Sequence, residues 1–249
     1  DLFFPFQTQV ENQKFAMFIN KGNMQFEEIN NSIFYTTSSL SASATVSVSE
    51  DFNNDGFMDI FIHNQKSPPL MLLNKGDGHF IDASEDCGFT ETIFHPEPFN
   101  GIINAADVNN DGWTDIFVSS KLYLNSEGCR FKEVSEQTGL NFIGNPAFND
   151  IDDDGDMDLF IGSSAGALGK GDRAILYRNN LNNKNFIKVF LEGDESNRSA
   201  FGSSVILTAY DSLGNQYYKS KKIYGYGSSP MLQQNISEIH FGINPKLRY

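Results

Sequence analysis

The sequence has little of what several classes of protein need. The chain of 249 residues holds one tryptophan, four histidines and two cysteines, which is too few cysteines for a disulfide scaffold and shows no Cys or His spacing typical of a zinc site. Cys87 and Cys129 are either paired or free. No apolar run approaches the roughly 18 residues of a membrane-spanning helix. The first residues lack the basic start of a signal peptide, so we expect any export signal to lie upstream of Asp1.

Basic residues are also scarce. The 18 Lys and Arg are outnumbered by 32 Asp and Glu, and the formal net charge is -14. A chain of this charge repels a phosphate backbone and offers no basic face to nucleic acid or anionic lipid. Nucleic-acid binding is therefore excluded as the main function.

Phenylalanine and glycine are abundant. The 23 Phe and 21 Gly, in a chain that is 39% hydrophobic, suit pleated strands and tight turns around a sizeable core. The composition predicts a globular all-β protein.

Two elements recur along the chain. The first is an acidic loop followed by an apolar strand: DFNNDGFMDIFI from Asp51, DVNNDGWTDIFV from Asp107 and DIDDDGDMDLFI from Asp150. The second is an asparagine with a phenylalanine six residues later, which begins at Asn20, Asn74, Asn125 and Asn180. Apolar or aromatic residues precede each asparagine, so each element predicts a hairpin of two strands. These asparagines recur at the spacing of roughly 50 residues that a longer four-stranded propeller blade occupies. About four blades are predicted.

The start of the chain resembles the end of such a loop. Asp1-Leu2-Phe3-Phe4 matches the DIFI-type segment that begins at Asp59, so Asp1 is interpreted as the remnant of a fourth acidic loop. Because a ring needs about 4–8 blades, we expect further blades upstream, in a propeller of about seven blades.

The three complete loops have the composition of calcium sites. Positions 1, 3, 5 and 9 are Asp or Asn and position 6 is Gly, while the carbonyl of position 7 is the expected backbone ligand. The candidate ligands are Asp51, Asn53, Asp55, Phe57 and Asp59; Asp107, Asn109, Asp111, Trp113 and Asp115; and Asp150, Asp152, Asp154, Asp156 and Asp158. Calcium takes 6–8 oxygens, and a donor set without His or Cys argues against zinc or copper.

Other interpretations of these residues exist. A single D-x-N-x-D-G segment also suits an Asx-rich turn without metal, and magnesium competes for oxygen ligands. An EF-hand needs a Glu at position 12, where Ile62, Val118 and Ile161 stand. The acidic pair Asp152 and Asp154 has the residue types of glycosidase carboxylates. The segment from Gly162 to Gly166 fits G-x-S-x-G, but no helix is predicted after it, so we expect a blade loop.

These motifs resemble the FG-GAP/VCBS repeat family over roughly residues 1–185. The resemblance implies an integrin-α-like propeller whose acidic loops bind calcium, at about three sites plus the truncated one at Asp1. Residues 186–249 resemble the ASPIC/UnbV domain in Ser196-Asn197-Arg198-Ser199-Ala200-Phe201-Gly202, in Gly225-Tyr226-Gly227-Ser228-Ser229 and in His240-Phe241-Gly242. A small C-terminal β module is therefore expected after the propeller repeats.

The expected function is a non-enzymatic recognition or adhesion module with structural calcium. It would stand outside the cytoplasm, as an extracellular, cell-surface or periplasmic protein, and bind a protein or glycan ligand. Two rival hypotheses remain open at this point. One is a carbohydrate-active enzyme built on a calcium-loop propeller, and the other is a scaffold subunit of an envelope complex.

Overall fold

Short β-strands form nearly all of the regular structure in the computed structural model, which confirms the all-β prediction. The described residues are 2–4, 16–29, 34–35, 46–63, 67–93, 103–140, 145–162, 174–194, 197–224 and 238–249. Asp1, the serine of the G-x-S-x-G segment and residues 225–229 of the tail motif lie outside these ranges.

Four sheets follow one another along the first three quarters of the chain. The first contains β1 (Leu2–Phe4), β2 (Ala16–Gly22) and β3 (Gln25–Ile29) in that order. The second contains β4 (Phe34–Tyr35), β5 (Val46–Glu50), β6 (Asp59–His63), β7 (Leu70–Asn74) and β8 (Phe80–Asp82) in the order β4-β8-β7-β6-β5, with β4 parallel to β8. The third is the antiparallel series β9 (Ile103–Ala106), β10 (Asp115–Val118), β11 (Lys121–Leu124) and β12 (Lys132–Glu133). The fourth contains β13 (Asn145–Asn149), β14 (Asp158–Gly162) and β15 (Ile175–Tyr177).

The central strands β6 and β10 of the second and third sheets are buried on both faces because each of these two sheets packs between its neighbours. In β6, Phe61 points into a cluster shared with the third sheet, whereas Ile60 and Ile62 join the cluster on the opposite face, which includes Met17 of the first sheet. In the third sheet, Phe117 points toward Leu159 of the fourth. This stacking in chain order is the arrangement of consecutive propeller blades and explains why the strands are continuously apolar.

The fourth sheet departs from the expected repeat. The Asn180-to-Phe186 element predicts a hairpin that adds a fourth strand beside β15. In the structure, Phe186 begins β16 (Phe186–Val189), which pairs with β19 (Ile239–Gly242) instead. This strand belongs to the C-terminal sheet and not to the fourth blade, so the hairpin prediction for the last repeat is wrong.

Two small sheets make up the C-terminal module, defined here as the described residues from Phe186 to Tyr249. One is the β16–β19 pair, and the other pairs β17 (Ser204–Tyr210) with β18 (Gln216–Ile223). Both enclose a cluster of Ala200, Tyr224, Ile239 and Phe241. The module therefore has a core of its own.

Helix is minor among the described residues. The one-turn α1 (Ser135–Thr138) ends at Gly139, whose φ of 70° is left-handed. Within the described ranges, no helix has the length and apolar character needed to cross a membrane.

A disulfide joins the second and third sheets. Cys87 follows β8, and Cys129 lies in the β11–β12 turn, with their Cα atoms 5.2 Å apart. Both side chains are buried in the cluster between the two sheets. The cysteines left open by the sequence are therefore paired, and the bond fixes one blade to the next.

Reduction of this disulfide is expected to destabilise the fold. The two cysteines are 42 residues apart, and a disulfide that closes a loop of this length adds about 2–4 kcal/mol to the free energy of unfolding. Urea unfolding with and without reductant measures the difference. Since the chain has only these two cysteines, the reductant acts at no other bond. Labelling of two thiols per chain in denaturant without reductant would contradict the pairing.

Candidate metal-binding loops

The three acidic loops share one backbone course. We call residues 51–59 loop 1, residues 107–115 loop 2 and residues 150–158 loop 3; each joins the first two strands of a blade, namely β5–β6, β9–β10 and β13–β14. Position 4 is left-handed in each, with φ values of 53° at Asn54, 56° at Asn110 and 58° at Asp153. Position 6 follows at 93° for Gly56, 92° for Gly112 and 94° for Gly155. Glycine is favoured at position 6 because L side chains rarely adopt this φ.

The first aspartate of every loop accepts two backbone N–H groups. Its Oδ1 accepts from position 5 and its Oδ2 from the glycine at position 6, so the chain wraps around one carboxylate. The distances are 3.1 and 3.0 Å at Asp51, 3.2 and 2.8 Å at Asp107, and 3.1 and 2.8 Å at Asp150.

The ninth aspartate ties the loop to the third strand of its blade. Its Oδ2 accepts the N–H of position 2, and its Oδ1 accepts the N–H of an asparagine at or after the end of that strand. The pairs are Asp59 with Phe52 and Asn74, Asp115 with Val108 and Asn125, and Asp158 with Ile151 and Asn179. The sequence repeat had aligned Asn180 with Asn74 and Asn125, but the hydrogen bonds place Asn179 in this role.

The residues between these two aspartates complete the candidate ligand set. At position 5, Oδ1 accepts the N–H of position 7, at 2.9 Å for Asp55 and Asp111 and 3.0 Å for Asp154. At position 3, the amides of Asn53 and Asn109 donate to the other oxygen of position 5. Positions 1, 3, 5 and 9 therefore gather around each turn.

The position 7 side chains point to different surroundings. Trp113 packs against Tyr218 of the C-terminal module, with ring centroids 5.7 Å apart. The carboxylate of Asp156 accepts hydrogen bonds from Asn110 and Asn182, and Phe57 is partly exposed. These contacts leave the backbone carbonyl as the position 7 group that a cation could use.

Loop 3 brings three carboxylates together. Oxygen atoms of Asp150, Asp152 and Asp158 lie within 4.8 Å of one another, a spacing that could hold a metal ion. Arg178 pairs with Asp152 and lies 3.6 Å from Asp154. Loops 1 and 2 have asparagine where loop 3 has Asp152, so their carboxylate sets are smaller.

Burial sets the charge of the first two loops. Removal from water, together with the neighbouring carboxylates, raises the pKa of Asp51 to about 7 and that of Asp59 to about 8. Burial likewise raises the pKa of Asp107 to about 7 and that of Asp115 above its usual range. Within the described residues, no ion pair reaches either loop. A bound cation would favour the ionised form of these acids.

Loop 3 has a different balance of charge. Burial acts to raise the pKa of Asp150, but the hydrogen bond from the Lys188 ammonium, 2.7 Å from Oδ2, holds it below its usual value. The protein itself thus supplies a positive group beside this loop.

Asparagines at position 4 connect neighbouring loops, a role that the ligand pattern did not predict. Asn54 donates to the carbonyl of Gly112 at 2.8 Å, and Asn110 donates to that of Gly155 at 2.9 Å. Loop 3 has Asp153 at this position. The signal available in the sequence was this change from Asn to Asp at the last loop of the series.

The oxygen donors of the loops fit a hard divalent cation. Loops 1 and 2 offer carboxylate, amide and carbonyl oxygens, and loop 3 offers carboxylate and carbonyl oxygens. This set, without a His or Cys ligand, suits calcium better than zinc or copper.

Part of this architecture matches known proteins. Residues 51–118 match the family model of the FG-GAP-like repeat. Over 171 residues the chain is 26% identical to cartilage acidic protein 1 of Xenopus tropicalis, an alignment that covers 65% of this chain and 26% of that protein. The corresponding protein of Homo sapiens is 25% identical over 171 residues, covering 63% of this chain and 24% of the relative. The chain therefore spans about a quarter of the length of the curated relatives it matches. The repeat predicted from the sequence is confirmed for residues 51–118, the segment that holds loops 1 and 2, as an FG-GAP-like repeat.

Proposed function

We propose that this chain is a non-catalytic, calcium-binding repeat module that stands outside the cytoplasm. The observation that carries the proposal is the threefold recurrence of one loop geometry, in which the first and ninth aspartates make the same backbone hydrogen bonds in loops 1, 2 and 3. A turn needs only one such carboxylate to form. Four converging oxygen side chains in each loop are better explained by a cation.

Each loop would hold one Ca²⁺ through the side chains of positions 1, 3, 5 and 9 and the carbonyl of position 7. Water would complete the 6–8 oxygen ligands that calcium takes. Magnesium is the weaker candidate because it demands octahedral geometry and keeps its waters.

The metal's proposed role is structural. Within loop 1 and within loop 2, the buried carboxylates repel one another. Burial raises the pKa of Asp59, and Asp51 and Asp55 raise it further. Burial and then Asp107 raise the pKa of Asp115. A dication would offset this repulsion and stabilise the turn between the first two strands of the blade.

Catalysis is not part of the proposal. The loop carboxylates are assigned to metal. Ser119 Oγ lies 3.1 Å from His63 Nε2, but both residues are buried between blades, where a substrate has no access. We propose instead that the surface serves recognition or adhesion and binds a protein or a glycan.

The proposed location rests on the disulfide and the relatives. The Cys87–Cys129 bond suits an oxidising compartment. The matched relatives carry a name that refers to cartilage. Both support an extracellular or cell-surface protein.

We also propose a division into propeller repeats over residues 1–185 and an ASPIC/UnbV-like domain over residues 186–249. Its support is the start of β16 at Phe186, which pairs with β19 rather than with the last blade, and the separate cluster around Tyr224 and Phe241.

Calcium is expected to bind at about three sites per chain and to raise the thermal midpoint. Free calcium at 100 times the dissociation constant adds about 2.7 kcal/mol per site to the free energy of unfolding. For a chain of this size, each site would then raise the thermal midpoint by roughly 5–10 °C. Elemental analysis and melting curves with calcium or chelator measure both effects. An unchanged midpoint in chelator, with no metal in the purified protein, would refute the proposal.

Replacing a single ligand tests the assignment loop by loop. Asp111→Asn keeps an oxygen that accepts the Trp113 N–H but removes a ligand charge from loop 2, so the number of calcium ions bound should fall by about one. Isothermal titration calorimetry gives this number. Asp86→Asn makes the same change at an exposed site outside the loops and should leave it unaltered. Equal binding by both variants would remove loop 2 from the assignment.

The stability of the metal-free protein should fall as pH rises. The pKa values of Asp51, about 7, and Asp59, about 8, are raised above 3.8 by burial, so between about pH 4 and about pH 8 the folded state holds protons that the unfolded chain has released. Stability is then highest at the acidic end of that window and declines toward pH 8. Urea unfolding in chelator across this range measures the slope, and saturating calcium should abolish it. A slope of the opposite sign in chelator would contradict the buried, unpaired state of these acids.

A further inference from the structure

The C-terminal module lies directly on the three acidic loops. Its strands β16, β18 and β19 contact loops that belong to three different blades. Their contacts with the three loops follow a common pattern.

Loop 1 receives the free edge of β18. The N–H of Lys219 donates to the carbonyl of Asn54 at 2.9 Å, and the N–H of Lys221 donates to Asp51 Oδ2 at 2.8 Å. The intervening Ser220 pairs with Leu207 of β17. One edge of β18 therefore binds its own sheet and the other binds the loop.

Loop 2 is contacted by β19 and by Tyr218 of β18. His240 Nε2 lies 2.7 Å from Asn110 Oδ1. Gly242 packs so closely that an added Cβ would collide with Asp107 Oδ2 and lie 2.7 Å from the backbone of Asn110. The hydroxyl of Tyr218 stands over Gly112, at 2.7 Å from where a Cβ would be.

Loop 3 receives β16. The Lys188 ammonium lies 2.7 Å from Asp150 Oδ2 and 3.1 Å from Asp153 Oδ1. The ring of Phe186 covers Gly155 so closely that an added Cβ would overlap it. This lysine also pairs with Glu238 of the module.

In every loop, the module approaches the same two groups. It reaches Oδ2 of the first aspartate through Lys221, Gly242 or Lys188. It covers the position 6 glycine with Lys219, Tyr218 or Phe186. The shape of this docking surface is set by the turn at those glycines, and the turn is set by the carboxylates that would bind metal.

We propose that the C-terminal module is a cap whose docking on the blades depends on metal in loops 1 and 2, where the described residues of the module make no ion pair with the first aspartate, and which in turn retains that metal. The inference rests on the proposed function. Because coupling between two binding events is reciprocal, calcium that favours the docked module must itself be held more tightly when the module is docked. The loop face is then an internal interface, and an external ligand binds elsewhere on the repeats.

Amide hydrogen exchange on the full chain tests the first half of the proposal. In chelator, the N–H groups of Lys219 and Lys221 are expected to exchange about tenfold faster or more than in calcium, a coupling of ordinary size. The N–H groups that join β17 to β18 should change less, because the module keeps its own core. Residue-resolved exchange by nuclear magnetic resonance separates the two edges of β18. Unchanged protection of Lys219 and Lys221 in chelator, in a protein shown to bind calcium, would overturn the cap while leaving the calcium sites in place.

The rate of calcium release into a fluorescent chelator tests the second half. Gly242→Ala introduces a methyl group against loop 2. His240→Leu removes the hydrogen bond to Asn110 and the stacking of the imidazole on Phe186. Neither residue is a proposed ligand. Both variants should still bind about three calcium ions but release those of loops 1 and 2 roughly tenfold faster.

The matched control is Gly162→Ala, another strand glycine, where an added Cβ meets only ordinary contacts at 3.7 Å or more. It should release calcium at the parent rate. Parent-like release by both Gly242→Ala and His240→Leu would overturn the proposal. If a variant loses its fold, seen as loss of exchange protection along β17, the other variant and the chelator experiment on the parent still decide. Absence of calcium from the parent protein would refute the proposed function as well, so the two failures are distinguishable.

Discussion

Buried carboxylates need hydrogen-bond donors, and in this protein the backbone of each acidic loop supplies them. A carboxyl group removed from water without hydrogen-bond partners is unfavourable, and Asp59 and Asp115 are completely buried. Each of them accepts two backbone N–H groups, one from position 2 of its loop and one from Asn74 or Asn125, at or just after the end of the blade's third strand. These bonds hold the loop, the second strand and the third strand in one arrangement. The three blades that contain loops 1, 2 and 3 share that arrangement.

The loops also connect neighbouring blades by hydrogen bonds. Asn54 and Asn110 each reach a carbonyl in the following loop, and Asn125 reaches back from the third sheet to the carbonyl of Phe52 in loop 1. Beneath the loops, apolar clusters fill the spaces between sheets, and the Cys87–Cys129 bond crosses one of them. A blade is therefore stabilised mainly by its neighbours, as expected for repeats whose two faces are both apolar.

The position 6 glycine links the candidate metal sites to the C-terminal module. Its left-handed φ closes the turn around the first aspartate, and its missing side chain leaves room for Lys219, Tyr218 or Phe186. A substitution there would disturb both the turn and the interface. This shared dependence explains why the C-terminal module, which is not part of the repeats, contacts the same position in all three loops.

Local sequence was enough to determine the all-β class, the three loops and the strands that begin at Asp59, Asp115 and Asp158. These features depend on residues within about a dozen positions of one another, where turn chemistry and strand period act directly. The repeat also implied that sheets stack, because strands that are apolar on both faces need two neighbours.

Tertiary structure decided the rest. Four features join segments that are distant in the sequence. They are the disulfide partner of Cys129, the hydrogen bond made by Asn179 rather than Asn180, the pairing of Phe186 with β19, and the contacts of the module with the loops. A pattern of residue types does not say which of several equivalent edges or donors a distant segment will meet. The outcome depends on packing and hydrogen-bond geometry across the whole chain, which exist only once the blades have stacked.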